Sequence, residues 1–407
     1  MCVSKLFSFN NIHCTCIQLL ITILDLAENK LNIAMFGQKH VLSREGGVEI
    51  VVKELATRMA AKGNTVICYD RKSQHVSGSD LDLRREFNGV SIIPVWTVGK
   101  KGWAAVTSSF SAALKICRSN ADVVHIHAEG PAAMCGFIKT FGKKTNGKKK
   151  RVIVTIHGLD WQRAKWGRLA RNYIRAGEKS AVKHADEIIV LSHGVQNYFK
   201  STYNRDTVFI PNGISKPEIR EADEIKKLWG LEKDSYVLFL GRIVPEKGIS
   251  YLLEAWKGIE TDKKLVIAGG SSDTQAYMDE LKAICTGNDN VAFTGFQQGR
   301  VLEELYSNAY IYCLPSDLEG MPLSLLEAMS YGNCCVVSDI SECSEVVEDK
   351  AVLFRKSDIE DLKRVLQDLV DDETKVAKYK QSASGYITMK YNWDKVVDKT
   401  LDLYVGN

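Results

Sequence analysis

Two acidic side chains, Glu319 and Glu327, lie eight positions apart in a stretch whose residue types suit a charged ligand. The stretch, residues 313–332, contains an apolar run, a polar turn and then a predicted helix. Gly320 gives the turn backbone freedom, and Pro322 suits the first position of a helix, where its missing N–H costs nothing. Because a helix N-terminus attracts anions, the pattern is typical of a site for a ligand with a central diphosphate. Each of the two carboxylates would then bind the hydroxyl groups at one end of that ligand.

The same residues also fit an ordinary surface helix with two solvated acids, and the carboxylate pair alone does not decide between the two interpretations. The surroundings are more specific, because an acid in a glycine-containing loop is followed by a proline, an apolar run and then Gly332 as a stop signal. Here the sequence resembles retaining glycosyltransferases of family 4, whose signature is two glutamates separated by seven residues. The resemblance implies that Glu319 binds hydroxyls of the transferred sugar and Glu327 binds the ribose of the nucleotide. It also implies that the donor contacts Gly320, Met321, Pro322 and Leu323.

Length and composition are those of a globular protein with room for two domains. The chain has 407 residues, of which 45% are hydrophobic and 26% are charged. Its net charge of +4 is unevenly divided, since residues 1–210 carry 31 lysines and arginines against 16 acids and the remainder carries 23 against 34. The first half is therefore expected to face an anionic partner, such as a membrane surface or a phosphorylated acceptor. Nucleic acid is not expected, because no nucleic-acid-binding motif accompanies the basic residues.

The eleven cysteines form no C-x-x-C pair and their number is odd, so neither a disulfide framework nor a zinc site is expected. We predict a protein of a reducing compartment, in the cytoplasm or peripheral on the inner face of the cytoplasmic membrane. No metal and no cofactor are expected beyond the nucleotide-sugar co-substrate. Asp80 and Asp82 form a D-x-D sequence in a polar loop, and we interpret them as solvated rather than metal-binding.

Residues 1–29 precede the regular pattern and are predicted to be an appended extension. The apolar run at residues 17–24 is too short to span a bilayer and is interrupted by Thr22. It lacks a clear small-residue cleavage site, which disfavours a signal peptide. Disorder and a short interfacial anchor both remain open for this segment.

Residues 30–210 alternate predicted strands with helices, which favours a parallel sheet with ligands at the carboxyl ends of its strands. The first strand is followed by a loop containing Gly46 and Gly47, and then by a helix. Backbone N–H groups in such a loop can approach a phosphate or a sugar. The loop is not G-x-G-x-x-G, although its paired glycines resemble the first loop of family 4. The predicted strands of this half are 31–36, 65–69, 90–94, 123–126, 152–156, 187–191 and 207–210.

Polar side chains follow three of these strands, at His127, His157 and Ser192. A single histidine at a strand end is usually structural. His157 differs because Gly158 follows it, and this HG pair resembles that of family 4, in which the histidine approaches the transferred sugar. Ser192 also resembles a family position. His127 is a candidate acceptor residue.

Two basic stretches account for much of the charge of the first half. Residues 139–151 precede a strand and so lie at the end of the sheet opposite the expected site; they are either a solvated loop or a contact for anionic lipid headgroups. Residues 160–175 directly follow His157 and combine two tryptophans with several arginines and lysines. This second stretch is predicted to form an acceptor or membrane-interface surface, with Asp160, Trp161 and Arg163 as candidate acceptor residues.

A second α/β series occupies residues 211–385, with predicted strands 236–240, 264–268, 291–294, 309–314 and 334–338. Its first strand leads into a loop in which Arg242 and Lys247 lie five positions apart before a helix, a position suited to binding a diphosphate. This spacing resembles the R-x(4)-K phosphate clamp of family 4. Gly295 and Phe296 end the third strand, where the resemblance implies contact with the nucleotide base. Glu345 matches a further family glutamate, and residues 386–407 are expected to form a helix that packs back on the first domain.

The resemblance covers residues 30–405 and implies an α/β fold of two Rossmann-like domains facing each other across a cleft, the GT-B architecture. It implies a retaining hexosyltransferase that uses a nucleoside-diphosphate sugar, with UDP favoured, and a saccharide or lipid-linked saccharide acceptor in cell-surface polysaccharide synthesis. Arg242 and Lys247 would neutralise the departing diphosphate, and His157 would position the sugar. Two other functions remain open from the sequence: a non-catalytic sugar- or nucleotide-binding protein, and a nucleotide-sugar epimerase or hydrolase of the same fold.

Overall fold

Two parallel β-sheets, one in each half of the chain, form the framework of the computed structural model. The structure describes residues 30–72, 83–100, 102–143, 147–163, 166–270 and 275–406. The predicted extension at residues 1–29 and the Asp80–Asp82 pair lie outside these ranges.

The first sheet has eight strands in the order β3-β4-β2-β1-β5-β6-β7-β8, all parallel except the β3–β4 pair. Its central strands are apolar on both faces; in β6, for example, every residue from Val152 to Ile156 is buried. Such strands require cover on both sides, and helices provide it. The strands are β1 Asn32–Phe36, β2 Thr65–Arg71, β3 Glu86–Phe87, β4 Val90–Val95, β5 Val123–His127, β6 Arg151–Ile156, β7 Glu187–Val190 and β8 Val208–Phe209.

The second sheet has six parallel strands in the order β11-β10-β9-β12-β13-β14. The order reverses direction between β9 and β12, and the loops that follow these two strands therefore open a crevice at their carboxyl ends. The strands are β9 Tyr236–Leu240, β10 Lys264–Ala268, β11 Val291–Gly295, β12 Ile311–Leu314, β13 Cys334–Ser338 and β14 Val352–Phe354.

Helices cover both sheets. Those of the first half are α1 Gly47–Ala61, α2 Trp103–Cys117, α3 Glu129–Ala132, α4 Cys135–Phe141, α5 Arg168–His184 and α6 His193–Tyr203. Those of the second half are α7 Glu224–Trp229, α8 Ile249–Trp256, α9 Gln275–Ile284, α10 Arg300–Asn308, α11 Leu323–Ser330, α12 Ser341–Val347, α13 Ile359–Asp371, α14 Glu373–Lys390 and α15 Trp393–Val405. Short 3₁₀ turns occur at Asp160–Gln162 and Pro245–Lys247.

The last helix, α15, returns to the first half and packs on α1. Asp394 pairs with Arg58 at 2.9 Å and Asp398 pairs with Lys62 at 2.8 Å. Near the end of α15, the Tyr404 hydroxyl lies 2.6 Å from Nδ1 of His125 on β5. The first half is therefore completed by a helix from the other end of the chain.

The predicted fold class, with two Rossmann-like sheets, is confirmed. Each of the twelve predicted strands is present, with ends within two residues of the prediction. The sequence missed β3 and β14, which have two and three residues and are too short to show a pattern. The prediction that Pro322 occupies the first helical position was wrong: its ψ of 106° is extended, and α11 begins at Leu323. Among the described helices, none is both long and apolar enough to cross a membrane.

Candidate active site

The loop after β12 contacts the loop after β6, and this contact joins the carboxyl ends of the two sheets. A Cβ atom added to Gly320 would lie 1.7 Å from the carbonyl oxygen of His157. Gly158, with φ +135°, would place a Cβ 3.1 Å from the Cα of Gly320. Backbone therefore meets backbone at this point, which brings His157 beside the Glu319–Gly320 turn and requires glycine at position 320.

The N-terminus of α11 faces the first half of the chain. A Cβ on Gly47, at the start of α1, would lie 3.4 Å from Cδ1 of Leu323, so the starts of α1 and α11 are neighbours. Asn212, in the segment that joins the two halves, donates from Nδ2 to the Met321 carbonyl at 3.2 Å. The first N–H groups of α11 and its positive dipole end consequently lie in the cleft.

Lys247 and Glu319, both singled out in the sequence, form an ion pair across this crevice. Lys247 Nζ lies 2.5 Å from Glu319 Oε1, and the two side chains are 12% and 8% exposed. Gly248, with φ +65°, holds the loop of Lys247 against the chain before the Glu319 turn: a Cβ there would lie 2.0 Å from the Pro315 carbonyl oxygen. The structure thus brings the predicted phosphate clamp and the predicted sugar-binding carboxylate together.

Two arginines add positive charge beside this pair. Burial and the nearby Arg163 lower the pKa of Arg242. Burial also acts to lower the pKa of Arg163, but the carboxylates of Asp160, Glu319 and Glu246 outweigh it and raise that pKa. Asp160 accepts a hydrogen bond from Arg163 Nε at 2.7 Å. The proximity of like-charged guanidinium groups makes this part of the cleft suitable for a polyanion.

Glu327, on α11, is held by donors from both halves of the chain. It accepts a hydrogen bond from the Tyr306 hydroxyl at 3.0 Å and one from Arg44 at 3.3 Å. Burial raises the pKa of Glu327, although Arg44 and Tyr306 oppose the shift. The sequence did not single out Arg44 or Tyr306, because their distance from Glu327 in the chain carries no local signal.

Three histidines line up behind the glycine contact. The ring centroids of His125 and His127 are 4.1 Å apart, and those of His127 and His157 are 5.4 Å apart. His127 Nδ1 lies 3.1 Å from His157 Nε2, and His125 Nε2 lies 2.7 Å from the Thr155 hydroxyl. Burial lowers the pKa of His157 to about 4 and that of His125 to about 3, and it lowers the pKa of His127 as well. These imidazoles are neutral at pH 7.

Of the other predicted residues, Gly46 and Gly47 lie beside the start of α11, and the rest lie at the edge of the second sheet or bond to other groups. Gly46 immediately precedes α1 beside Glu49. Gly295 ends the edge strand β11, and Phe296 follows it and lies against Gly270. Trp161 donates to a buried carboxylate, that of Glu178, at 3.2 Å. Two further family positions have identified partners.

The first of these, Ser192, caps α6 by accepting a hydrogen bond from the Val195 N–H at 3.2 Å. The second, Glu345, accepts from the His193 N–H at 3.0 Å and so links the two halves of the chain. Within the part of the chain that the structure describes, no group of three or more histidines, cysteines or acids could hold a metal ion.

Two sequence families match the chain on either side of the connection between its halves. Residues 45–216 match Glycosyltransferase Family 4, and residues 221–386 match Glycosyl transferases group 1. The chain belongs to glycosyltransferase family 4. This glycosyltransferase is 30% identical to an uncharacterized glycosyltransferase of Methanocaldococcus jannaschii over 57% of its own length and 63% of that relative's.

A second relative is the UDP-Gal:alpha-D-GlcNAc-diphosphoundecaprenol alpha-1,3-galactosyltransferase of Escherichia coli, which is 27% identical over 70% of this glycosyltransferase and 75% of its own length. Among solved structures, Anabaena HepE in complex with UDP and glucose superposes with a TM-score of 0.76 and 16% identity, over 93% of this chain and all of HepE. At that identity the likeness shows the fold alone. The fold of this glycosyltransferase is GT-B, as predicted.

Proposed function

We propose that this glycosyltransferase transfers a hexose, with retention of anomeric configuration, from a UDP-sugar to a saccharide or lipid-linked saccharide in cell-surface polysaccharide synthesis. One observation carries the proposal: Lys247, Glu319 and the N-terminus of α11 meet at the point where the two sheets face each other. A cationic side chain, a carboxylate and the N–H groups of a helix N-terminus are the complement of a sugar joined to a diphosphate.

In the proposed reaction, the bond between the anomeric carbon and the β-phosphate oxygen breaks, and its electron pair goes to the phosphate. The acceptor hydroxyl forms the new bond on the same face of the sugar and gives its proton to the departing phosphate. Arg242 and Lys247 stabilise the negative charge that builds up on the diphosphate. Glu319 binds sugar hydroxyls, and neutral His157 positions the sugar by hydrogen bonding. Because these cations supply the electrostatic stabilisation, we expect transfer to continue in the presence of EDTA.

The choice of a UDP-sugar and of a lipid-linked acceptor is supported by the relatives. The Escherichia coli relative is named for a UDP-sugar donor and a diphosphoundecaprenol acceptor. Gly295 and Phe296 are proposed to contact the base, since they lie at the carboxyl end of β11 in the second sheet.

We propose that the enzyme binds its acceptor at a membrane surface. Trp96, Trp103 and Leu169 are 65%, 61% and 86% exposed, and the first two flank the loop that follows β4. Exposed Arg168 and Arg171 lie beside Leu169 on α5. Aromatic and apolar side chains next to arginines suit the headgroup region of an anionic membrane at the inner face of the cytoplasmic membrane.

The test is a transfer assay with UDP-glucose, UDP-galactose and UDP-N-acetylglucosamine, each with and without saccharide and diphospholipid-linked saccharide acceptors. We expect UDP release that depends on the acceptor and, by NMR, a product with the α configuration of the donor. GDP-, ADP- and dTDP-sugars serve as control donors that differ from the UDP-sugars in the base. A β-linked product would contradict retention, and release of nucleotide without any acceptor would indicate a hydrolase.

A further inference from the structure

Two glutamates that lie behind the active site, Glu129 and Glu178, form a buried carboxyl pair. Glu129 opens α3 directly after β5, Glu178 lies on α5, and both residues are 0% exposed. The two helices are in backbone contact, because a Cβ on Gly177 would lie 1.9 Å from the Glu129 carbonyl oxygen. The two glutamates therefore lie beside a close contact between α3 and α5 and are shielded from water.

Glu178 is the hydrogen-bond acceptor of the pair. It accepts hydrogen bonds from Trp161 Nε1 at 3.2 Å and from the Tyr198 hydroxyl at 3.0 Å. The Tyr203 hydroxyl donates to the same oxygen as Tyr198. Both oxygens of Glu178 therefore accept from donors of other elements.

Glu129 has the opposite surroundings. Its Oε2 accepts the Asp160 N–H at 2.7 Å, whereas its buried Oε1 meets no donor in the described part of the chain. A proton on Oε1 would give that atom a partner, since it could donate to Glu178. Burial, the neighbouring Glu178 and the charge of Asp160 raise the pKa of Glu129 to about 10.

Within the described ranges, Glu129 forms no ion pair with a cationic side chain. Asp160 is bound to Arg163, and the Arg175 guanidinium lies 4.2 Å from the ring centroid of Trp161. Titratable and charged side chains on the elements beside the pair include Asp160, Arg163, Tyr173, Arg175, Tyr198 and Tyr203.

We infer that Glu129 and Glu178 share one proton and act as positioning residues for the turn that follows His157. The protonated carboxyl of Glu129 bonds to Glu178 on one side and holds the Asp160 N–H on the other. Asp160 in turn binds Arg163, which faces Glu319 across the cleft. The shared proton thus fixes the first-domain side of the cleft, a role that rests on the proposed transfer function.

The first arm of the test measures thermal unfolding between pH 6 and pH 9 and does not depend on activity. In the folded protein Glu129 keeps its proton until about pH 10, while the unfolded chain loses it near the usual value of about 4.5; unfolding therefore becomes easier as pH rises. Glu129→Gln keeps both hydrogen bonds without a titrating proton. Relative to this variant, the wild-type Tm should fall by roughly 5 °C or more across the range. If the plots of Tm against pH for wild type and Glu129→Gln were parallel, the shared proton would be contradicted. Glu86→Gln, at an exposed glutamate, should run parallel to wild type.

The second arm measures transfer. Glu129→Gln should keep kcat/KM within about threefold of wild type at pH 7, and it should retain activity at pH 9–10 where the wild type declines. Glu129→Ala, which removes both bonds, should lose roughly 10- to 100-fold. The positioning role would be contradicted if Glu129→Gln and Glu129→Ala lost equal kcat/KM. It would also be contradicted if the activity of wild type and Glu129→Gln fell at the same alkaline pH. If wild type transfers no sugar, the proposed function fails while the unfolding arm still tests the proton.

Discussion

At the level of single residues, the close pair of Lys247 and Glu319 defines the state of the site before a donor is bound. The two side chains neutralise each other at 2.5 Å in a place where little water reaches them. A diphosphate would compete with Glu319 for Lys247, and sugar hydroxyls would then become the partners of the released carboxylate. The pair therefore holds both groups in position for the proposed donor.

Replacing Lys247 by alanine tests the first of these roles. Without the ammonium group, charge on the departing phosphate is less stabilised, and kcat should fall by about 10²- to 10³-fold. Lys257→Ala is the matched control, because Lys257 is 47% exposed and its ion pair with Glu254, at 2.8 Å, joins two exposed side chains. Steady-state kinetics with saturating acceptor would measure the effect. Turnover of Lys247→Ala within a few-fold of wild type would contradict the role.

The three buried histidines predict how stability depends on pH. The unfolded chain takes up protons at these imidazoles as pH falls through about 6.5, but folded His157 does so only near pH 4 and His125 near pH 3. The free energy of unfolding should therefore decrease as pH falls from about 6.5, by up to about 1.4 kcal/mol per pH unit for each imidazole.

Urea unfolding of His125→Gln at pH 7, 6 and 5 would check this. Because one proton fewer is taken up on unfolding, the variant should lose stability less steeply than wild type below pH 6.5. His193→Gln, at an exposed histidine, provides the comparison. Equal slopes for His125→Gln and wild type would show that His125 does not resist protonation.

At the level of elements, the contact between the two loops at Gly320 and His157 decides whether the site can form. Gly320→Ala would place a methyl group against the His157 carbonyl oxygen, so one loop must move. A displacement of this size should lower kcat/KM by roughly 10²-fold while each sheet stays folded. Far-UV circular dichroism and transfer kinetics would separate these effects.

A matched control for Gly320→Ala lies in α14. Gly385 has open space around its Cα, and alanine in a helix interior is favoured over glycine by about 1 kcal/mol. Gly385→Ala should therefore raise the Tm and leave transfer unchanged. If Gly320→Ala stayed within threefold of wild type, the loop contact would have no part in the site.

Much of the architecture could be predicted from the sequence because buried parallel strands are continuous apolar runs. Runs such as residues 264–268 and 334–338 match the observed strands to the residue. Strands β3 and β14 are set by pairing with a neighbour rather than by their own pattern, and no local signal marks them. The start of α11 was misplaced by one residue because Pro322 also suits an extended residue before a helix.

The site was predictable only where its residues belong to one loop and its following helix. Glu319 and Glu327, and likewise Arg242 and Lys247, have a fixed local spacing. The partners that complete the site come from distant segments: Arg44 reaches Glu327 from 283 positions away. Such contacts depend on how the two sheets face each other, and a single sequence does not contain that information.

At the level of the whole molecule, the two halves are joined by contacts beside the cleft and by others far from it. Asn212 binds the chain before α11, and α15 returns to pack on α1. The first half carries the excess of basic residues and the second the excess of acids. In the proposed function, the basic half meets an anionic acceptor surface while the second half holds the nucleotide.

The most direct test of this account is a crystal structure of the protein with UDP. We expect the diphosphate between the two sheets, within hydrogen-bonding distance of Arg242, Lys247 and the N–H groups at the start of α11, with the ribose hydroxyls on Glu327. Electron density for UDP outside this cleft, or a diphosphate turned away from Arg242 and Lys247, would contradict it.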